Sequence, residues 1–190
     1  MSQNNNREIE VKLLVSDFSD LAEKIRAAGG VLLQPEFFQR TVRFDTPEQS
    51  LKSNKTFLRV RSGDQNVITL KRRIDGGELE AKGFKEREEL ETEIGDIEKV
   101  RQIINILGFT REWIMEKYRT DYRLGEVIIS LDRLPFGIFV EVEGEPTDIE
   151  MAIQKLGLTE VARSIETYWG LFDEYKKKHN LSGENIVFGS

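Results

Sequence analysis

The chain contains no cysteine and only one histidine, His179 in the segment K-K-K-H-N. The first absence excludes disulfides, thiolate nucleophiles and Cys-ligated zinc. The second leaves a lone imidazole at what reads as a solvated helix end, so a His-based triad is not expected. No apolar run approaches the length of a membrane span, and no signal peptide precedes the first strand-like segment. A cytoplasmic protein without a membrane partner is therefore expected. Positive charge is not in excess either. With 28 Lys and Arg against 34 Asp and Glu, a net charge of −6, no nucleic-acid partner is expected. What remains for chemistry is carboxylates, lysines, arginines and hydroxyls. Carboxylates bind hard divalent cations, and arginine with lysine binds phosphate.

The 190 residues, 38% hydrophobic and 33% charged, suit a single domain over 1–190 with an ordered core at about 7–178. Arg7–Val15 reads R-E-I-E-V-K-L-L-V, charged and apolar in strict alternation, which is a strand with one apolar face. Further strands are expected at Val31–Asp45, Lys55–Ser62, Asn66–Arg73, Phe84–Ile94, Phe109–Arg123, Glu126–Arg133 and Gly137–Gly144. Asp17 and Asp96 read as caps of helices that run to Ala28 and Leu107, with Gly29 and Gly108 beyond them. The cap-to-glycine spacing is the same in both, and each helix follows a strand bearing alternating acids. That suggests two related strand–helix–strand halves. Two more helices are expected at Asp148–Leu156 and Glu160–Lys178, the latter with an apolar stripe that includes Tyr168, Trp169 and Phe172. Arg72–Lys82 is read as a mobile connection, and Met1–Asn6 and Leu181–Ser190 as loose ends.

A period of two sorts the other strands in the same way. Arg43, Arg59 and Arg61, Lys71, then Lys85, Arg87, Glu89 and Glu91 fall opposite the apolar positions of their strands. So do Lys117, Arg119 and Asp121, Asp132, and Glu141 with Glu143. This charged face is either the solvated side of an antiparallel sheet or the interior of a closed barrel, for which eight strands suffice. Buried charges at that density need partners or a ligand. A polyanion bridged by a metal ion would satisfy both signs.

The segment Glu8-x-Glu10-x-Lys12 resembles the E-x-E-x-K strand of the CYTH superfamily, the triphosphate tunnel metalloenzymes. Its companions follow in the family's order. They are F-D-T-P at Phe44–Pro47, L-R-V-R at Leu58–Arg61, T-L-K at Thr69–Lys71 and R-E-E-L-E-T-E at Arg87–Glu93. K-Y-R-x-x-Y at Lys117–Tyr122, L-D at Leu131–Asp132 and F-V-E-V-E at Phe139–Glu143 complete the set. The resemblance spans about residues 7–175 and is nearest to class IV adenylate cyclases, in a family that includes thiamine triphosphatases. It implies an α+β fold, an eight-stranded antiparallel closed β-barrel with a charged lumen, helices outside and a C-terminal helix packed against it. It implies Glu8, Glu10, Glu141 and Glu143 as ligands of Mg²⁺ or Mn²⁺, helped by Asp132 and Glu91. Lys12, Arg43, Arg59, Arg61, Lys71, Arg87, Lys117 and Arg119 would hold the triphosphate, and Lys117 or Lys71 would serve as a base. Thr41 and Arg43 stand where many relatives carry an acidic residue and an aromatic, and Arg72 and Arg73 where cyclase-like members carry Gly-Pro. Both differences are expected to make the lumen more basic.

The activity implied first is conversion of ATP to cAMP and pyrophosphate. A triphosphatase acting on tripolyphosphate, thiamine triphosphate or nucleoside triphosphates is the alternative, followed by a non-catalytic polyphosphate or nucleotide binder. A barrel whose internal ion pairs merely neutralise one another is the reading without a ligand. The partner expected is a small-molecule triphosphate, and the assembly a monomer or homodimer.

Overall fold

The computed structural model describes residues 6–74 and 78–189. Alternation sets the strands within two residues of expectation. They are β1 (Arg7–Val15), β2 (Val31–Asp45), β3 (Thr56–Ser62), β4 (Val67–Arg73), β5 (Lys85–Glu93), β6 (Arg111–Leu124), β7 (Val127–Leu134) and β8 (Gly137–Glu143). All pair antiparallel in the order β5-β4-β3-β2-β6-β7-β8-β1, and β1 pairs with β5 to complete a ring. Exchanging β1–β4 for β5–β8 leaves the set of neighbours unchanged. Helix α1 (Leu21–Ala27) follows β1 as α4 (Ile97–Ile106) follows β5. Glu8 and Arg87 face each other across the β1–β5 seam and lie nine residues before Asp17 and Asp96 respectively. The topology therefore matches the two-halves reading of the sequence. Gly29 and Gly108, at φ +90° and +98°, end the two helices in the left-handed region that glycine enters without strain.

Apolar positions of the strands point outward. Ile9, Val11 and Leu13 of β1 join Val140 and Val142 of β8 under α1 and α5 (Pro146–Lys155), which contribute Leu21, Ile25, Ile149 and Ile153. On another wall, Phe44 and Val60 lie beneath α4, which contributes Ile104. A third cluster, with Trp113, Phe139, Tyr168 and Trp169, seats α6 (Tyr168–His179). Among the described residues no helix is long and apolar enough to cross a membrane.

Several local expectations are corrected. Asp17 does not cap α1. Its carboxylate accepts from the Ser19 amide and hydroxyl at 2.9 and 2.6 Å, and the helix starts four residues later, at Leu21, without a side-chain cap. Asp96 does cap α4, accepting from the Lys99 amide at 3.0 Å. The segment from Glu160 is not helical until Tyr168. β5 covers only Arg7–Glu10 on that edge of β1, and the backbone beyond needs partners. A two-residue strand, β9 (Arg163–Ser164), supplies them at Lys12 and Leu13, and the Leu14 amide bonds the Ala162 carbonyl. Thr167 then caps α6 by accepting from the Gly170 amide at 3.1 Å.

The C-terminal segment is not loose where it is described. Ile186 is buried and bridges Met115 on the edge of β6 that β7 leaves open. Two short helices were not anticipated, α2 (Ser50–Ser53) and α3 (Glu78–Ala81). Helix α3 falls inside the expected Arg72–Lys82 connection, of which residues 75–77 lie outside the described residues. Met1–Asn5 and Ser190 do so too.

Candidate active site

Turning the apolar positions outward leaves the opposite parity facing inward, and the ring encloses a cavity of about 520 Å³. Eleven lysines and arginines and seven carboxylates line it. Of the predicted site residues, Glu8, Glu10, Lys12, Arg43, Arg59, Arg61, Lys71, Arg87, Glu91, Lys117, Arg119, Glu141 and Glu143 all reach this one cavity. Asp132 sits immediately behind the wall with no exposure.

The lumen is held by ammonium groups that bridge carboxylates. Lys12 Nζ lies 2.7 Å from Glu10 and 3.0 Å from Glu141. Lys71 Nζ lies 2.5 Å from Glu8 and 3.0 Å from Glu89, and Lys85 Nζ 2.5 Å from Glu10. Burial alone would raise the Glu10 carboxyl, but Lys12 and Lys85 overcome it and hold it well below the usual carboxylate range. Glu141 is lowered in the same way, by Lys12 and Arg119 against its burial. Glu143 behaves differently. It stands at the rim, yet loss of hydration there and repulsion from Glu8 and Glu10 push its carboxyl up to about 7.

Asp132 is enclosed by donors. Lys117 Nζ reaches it at 2.9 Å, Arg119 makes two bonds at 2.6 and 2.5 Å, and the Tyr168 hydroxyl donates at 2.6 Å. Arg119 also bonds Glu141. Lys117 is 5% exposed. Burial first, and Arg119 second, lower its ammonium to about 8 against the pull of Asp132.

The two mouths differ. β1 runs Glu8, Glu10, Lys12 toward α6, and the antiparallel β8 places Glu143 beside Glu10 and Glu141 beside Lys12. The far mouth thus carries Glu143, Glu91 and Asp121, with Arg61 bonded to Glu91 at 3.2 Å. The mouth under α6 carries Phe57, Met115, Arg43 and, from the helix itself, Tyr168 and Trp169. Sequence parity placed Lys85 on the charged face without separating it from its neighbours. The register with β1, Glu10 opposite Lys85, is what assigns it a partner. Tyr168 and Trp169 were read only as part of an apolar stripe, and no sequence signal directed them to the cavity.

Among the described residues no three acidic or imidazole groups converge as a metal site, because lysines bridge the carboxylates. The donor set nonetheless fits a hard divalent cation. Glu8 Oε2 is buried with no hydrogen-bond partner, and burial together with the charges of Glu8 and Glu10 raises the carboxyl of nearby Glu143 to about 7.

The family model described as "CYTH domain" matches residues 6–165. A Methanocaldococcus jannaschii protein, provisionally named an adenylate cyclase, is 31% identical over 144 residues, 75% of this chain and 79% of its own. A solved Pyrococcus horikoshii structure is 29% identical with a TM-score of 0.67, covering 85% of this chain and 96% of that one. A Hippeastrum protein, provisionally named an adenylyl cyclase and described with a dominant triphosphatase activity, shares the fold. It has a TM-score of 0.59 at 21% identity, covering 88% of this chain and 95% of that one.

Proposed function

Because this chain belongs to the CYTH domain family, we propose that it is a divalent-metal-dependent enzyme that binds a triphosphate in the lumen and converts ATP to cAMP and pyrophosphate. One observation carries the triphosphate half of this reading. A single 520 Å³ cavity gathers eleven cationic side chains and sets unsatisfied carboxylate oxygen among them. The name of the Methanocaldococcus jannaschii relative supports the cyclase half.

Glu8 and Glu143, with Glu10 and Glu141 adjacent, would hold Mg²⁺ or Mn²⁺. When bound, the ion supplies Lewis-acid polarisation and charge neutralisation at phosphoryl oxygens. Arg59, Arg61, Lys71, Arg87 and Arg119 hold and neutralise the phosphates, most strongly as charge develops on the leaving pyrophosphate. Lys117, with its ammonium lowered to about 8, takes the proton of the ribose 3′-hydroxyl as that oxygen bonds the α-phosphorus and the bond to pyrophosphate breaks. Asp132 and Tyr168 hold Lys117 and Arg119 in position. Asp132 already accepts four hydrogen bonds, so its role is orientation. Glu91, bonded to Thr69 at 2.7 Å and to Arg61, orients the phosphate-binding arginines.

The test is incubation with ATP and with tripolyphosphate under Mg²⁺ or Mn²⁺, with chromatographic separation of products. cAMP with pyrophosphate is expected. Release of orthophosphate would replace the cyclase with a hydrolase that places water in line instead of the ribose hydroxyl. Absence of turnover with both compounds and both metals overturns the enzymatic reading.

A further inference from the structure

One wall of the ring is completed by something other than its eight strands. β2 pairs with β6 from Arg111 to Arg123 along one edge, but on the other edge β7 joins only from Tyr118. The backbone groups of β6 before Tyr118 on that edge need partners from elsewhere. Residues 184–188 supply them. The Ile186 amide donates to the Ile114 carbonyl at 2.8 Å, and the Ile186 carbonyl accepts from the Glu116 amide at 2.7 Å. Asn185 Oδ1 accepts from the Ile114 amide at 2.9 Å. The Glu116 carboxylate accepts from the Phe188 amide at 3.1 Å and from Arg40 at 2.7 Å. The Phe188 ring lies 5.3 Å from that of Tyr118, and Glu184 pairs with Arg111 at 3.0 Å.

These contacts alternate with the lumen. The tail holds Ile114, Glu116 and Tyr118, and the residues between them, Met115 and Lys117, line the cavity. Ile186 itself is 1% exposed and packs in the cluster of Trp113, Met115, Tyr168 and Trp169, at the start of α6. Tyr168 donates to Asp132, and so does Lys117. The tail therefore reaches Lys117 by two routes, through the β6 backbone and through Tyr168. We propose that residues 184–188 are a positioning strap, which takes the place of a strand in the tunnel wall and fixes Lys117 for proton transfer. The strap touches no substrate and acts through its neighbours. Arg59, Arg61, Lys71 and Arg87 stand on β3, β4 and β5, none of which borders β6, so phosphate affinity is independent of it. The inference rests on the role given to Lys117 above. It adds to that role a segment beyond residues 6–165, which match the family model.

The test measures kcat and KM for whichever triphosphate, ATP or tripolyphosphate, the wild type converts. A chain ending at Gly183 and the full chain carrying Ile186→Asp should each lose about 10- to 100-fold in kcat, with KM changed less than about twofold. Ile186→Val, which keeps the bridge and most of the packing, should keep kcat within about twofold. In a Lys117→Met background the truncation should cost little further, because the strap acts through the group already removed. Wild-type kcat in the truncated chain overturns the strap. So does an equal added loss in the Lys117→Met background, or a rise in KM that matches the fall in kcat. Where the truncated chain does not fold, Phe188→Ala decides, since it removes only a ring from beside Tyr118. It should lower kcat about threefold at constant KM, and an unchanged kcat overturns the strap. These failures leave the enzymatic reading standing. A wild type that turns over neither compound removes that reading, and the strap with it.

Discussion

The far mouth of the lumen and the mouth under α6 are made by the same eight strands, yet they pose opposite electrostatic problems. At the far mouth stand Glu143, Glu91 and Asp121, and loss of hydration, with Glu8 and Glu10 nearby, raises the Glu143 carboxyl to about 7. Under α6 the Arg43 Nε and the Trp169 indole N–H are buried among rings without hydrogen-bond partners. One end leaves a buried carboxylate oxygen unpaired, and the other leaves two buried N–H donors unpaired. Lysine bridges satisfy the stretch between them internally. The difference teaches that a lumen lined alternately with both signs need not be uniform.

The comparison breaks most visibly at the acidic mouth. Glu8→Gln removes the carboxylate that has a free buried oxygen and should raise the half-saturating Mg²⁺ or Mn²⁺ concentration by about 100-fold or more. Metal titration of activity measures this, and an unchanged midpoint would remove Glu8 from the cation site. In the middle of the lumen, Lys117→Met should lower kcat by about 10²- to 10³-fold. Since Lys117 loses its proton as pH rises through about 8, the wild-type rate should climb across that value and the variant's should not.

Tyr168→Phe takes one of four hydrogen bonds from Asp132 and should lower kcat only about three- to tenfold with KM little changed. A change confined to KM would show that the hydroxyl contacts substrate instead. The smallest effect concerns stability. The Glu143 carboxyl is raised from 4.5 to about 7, so the folded state holds a proton that the unfolded chain releases. That contribution is fully present below pH 4.5 and is lost as pH rises through 7. Metal-free wild type should therefore lose more melting temperature between pH 5 and 8 than Glu143→Gln. A calorimetric series with parallel slopes would contradict the assignment.

Much of this was legible in the sequence because a strand's side-chain period is an integer. Glu8, Glu10 and Lys12 could only share a face, and a register slip would have turned every one of them outward. The ring, the eight strands and the inward direction of the charges followed from that regularity together with the family resemblance. Helix faces are less informative. An apolar stripe identifies Tyr168 and Trp169 as buried but not what they are buried against, so their place in the lumen was missed. The short strand at Arg163–Ser164 carries no pattern of its own and exists because β1 has an edge to satisfy. Ile186 is bound by two backbone bonds to β6 in a stretch whose composition reads as a tail. Asp132 shows the limit within the strands themselves. Parity turns it inward, but only the structure shows four donors closing around it.

The β1 strand pairs with β5 through Glu10 and Lys85 on one side and with β8 through Glu10 and Glu143 on the other. The partners of a single glutamate thus lie 75 and 133 residues from it in sequence. Local hairpins such as β3–β4 and β7–β8 can form as soon as their residues exist, but β1 has no neighbour in sequence to pair with. It must wait for the last strand of the ring, so closure should be a late, slow event dominated by non-local contacts. Until then its row of buried carboxylates and lysines faces water, which suits those groups, while Ile9, Val11 and Leu13 await the helices that cover them. The strand with the most recognisable motif is in this sense the keystone of the arch, set after the other stones are in place.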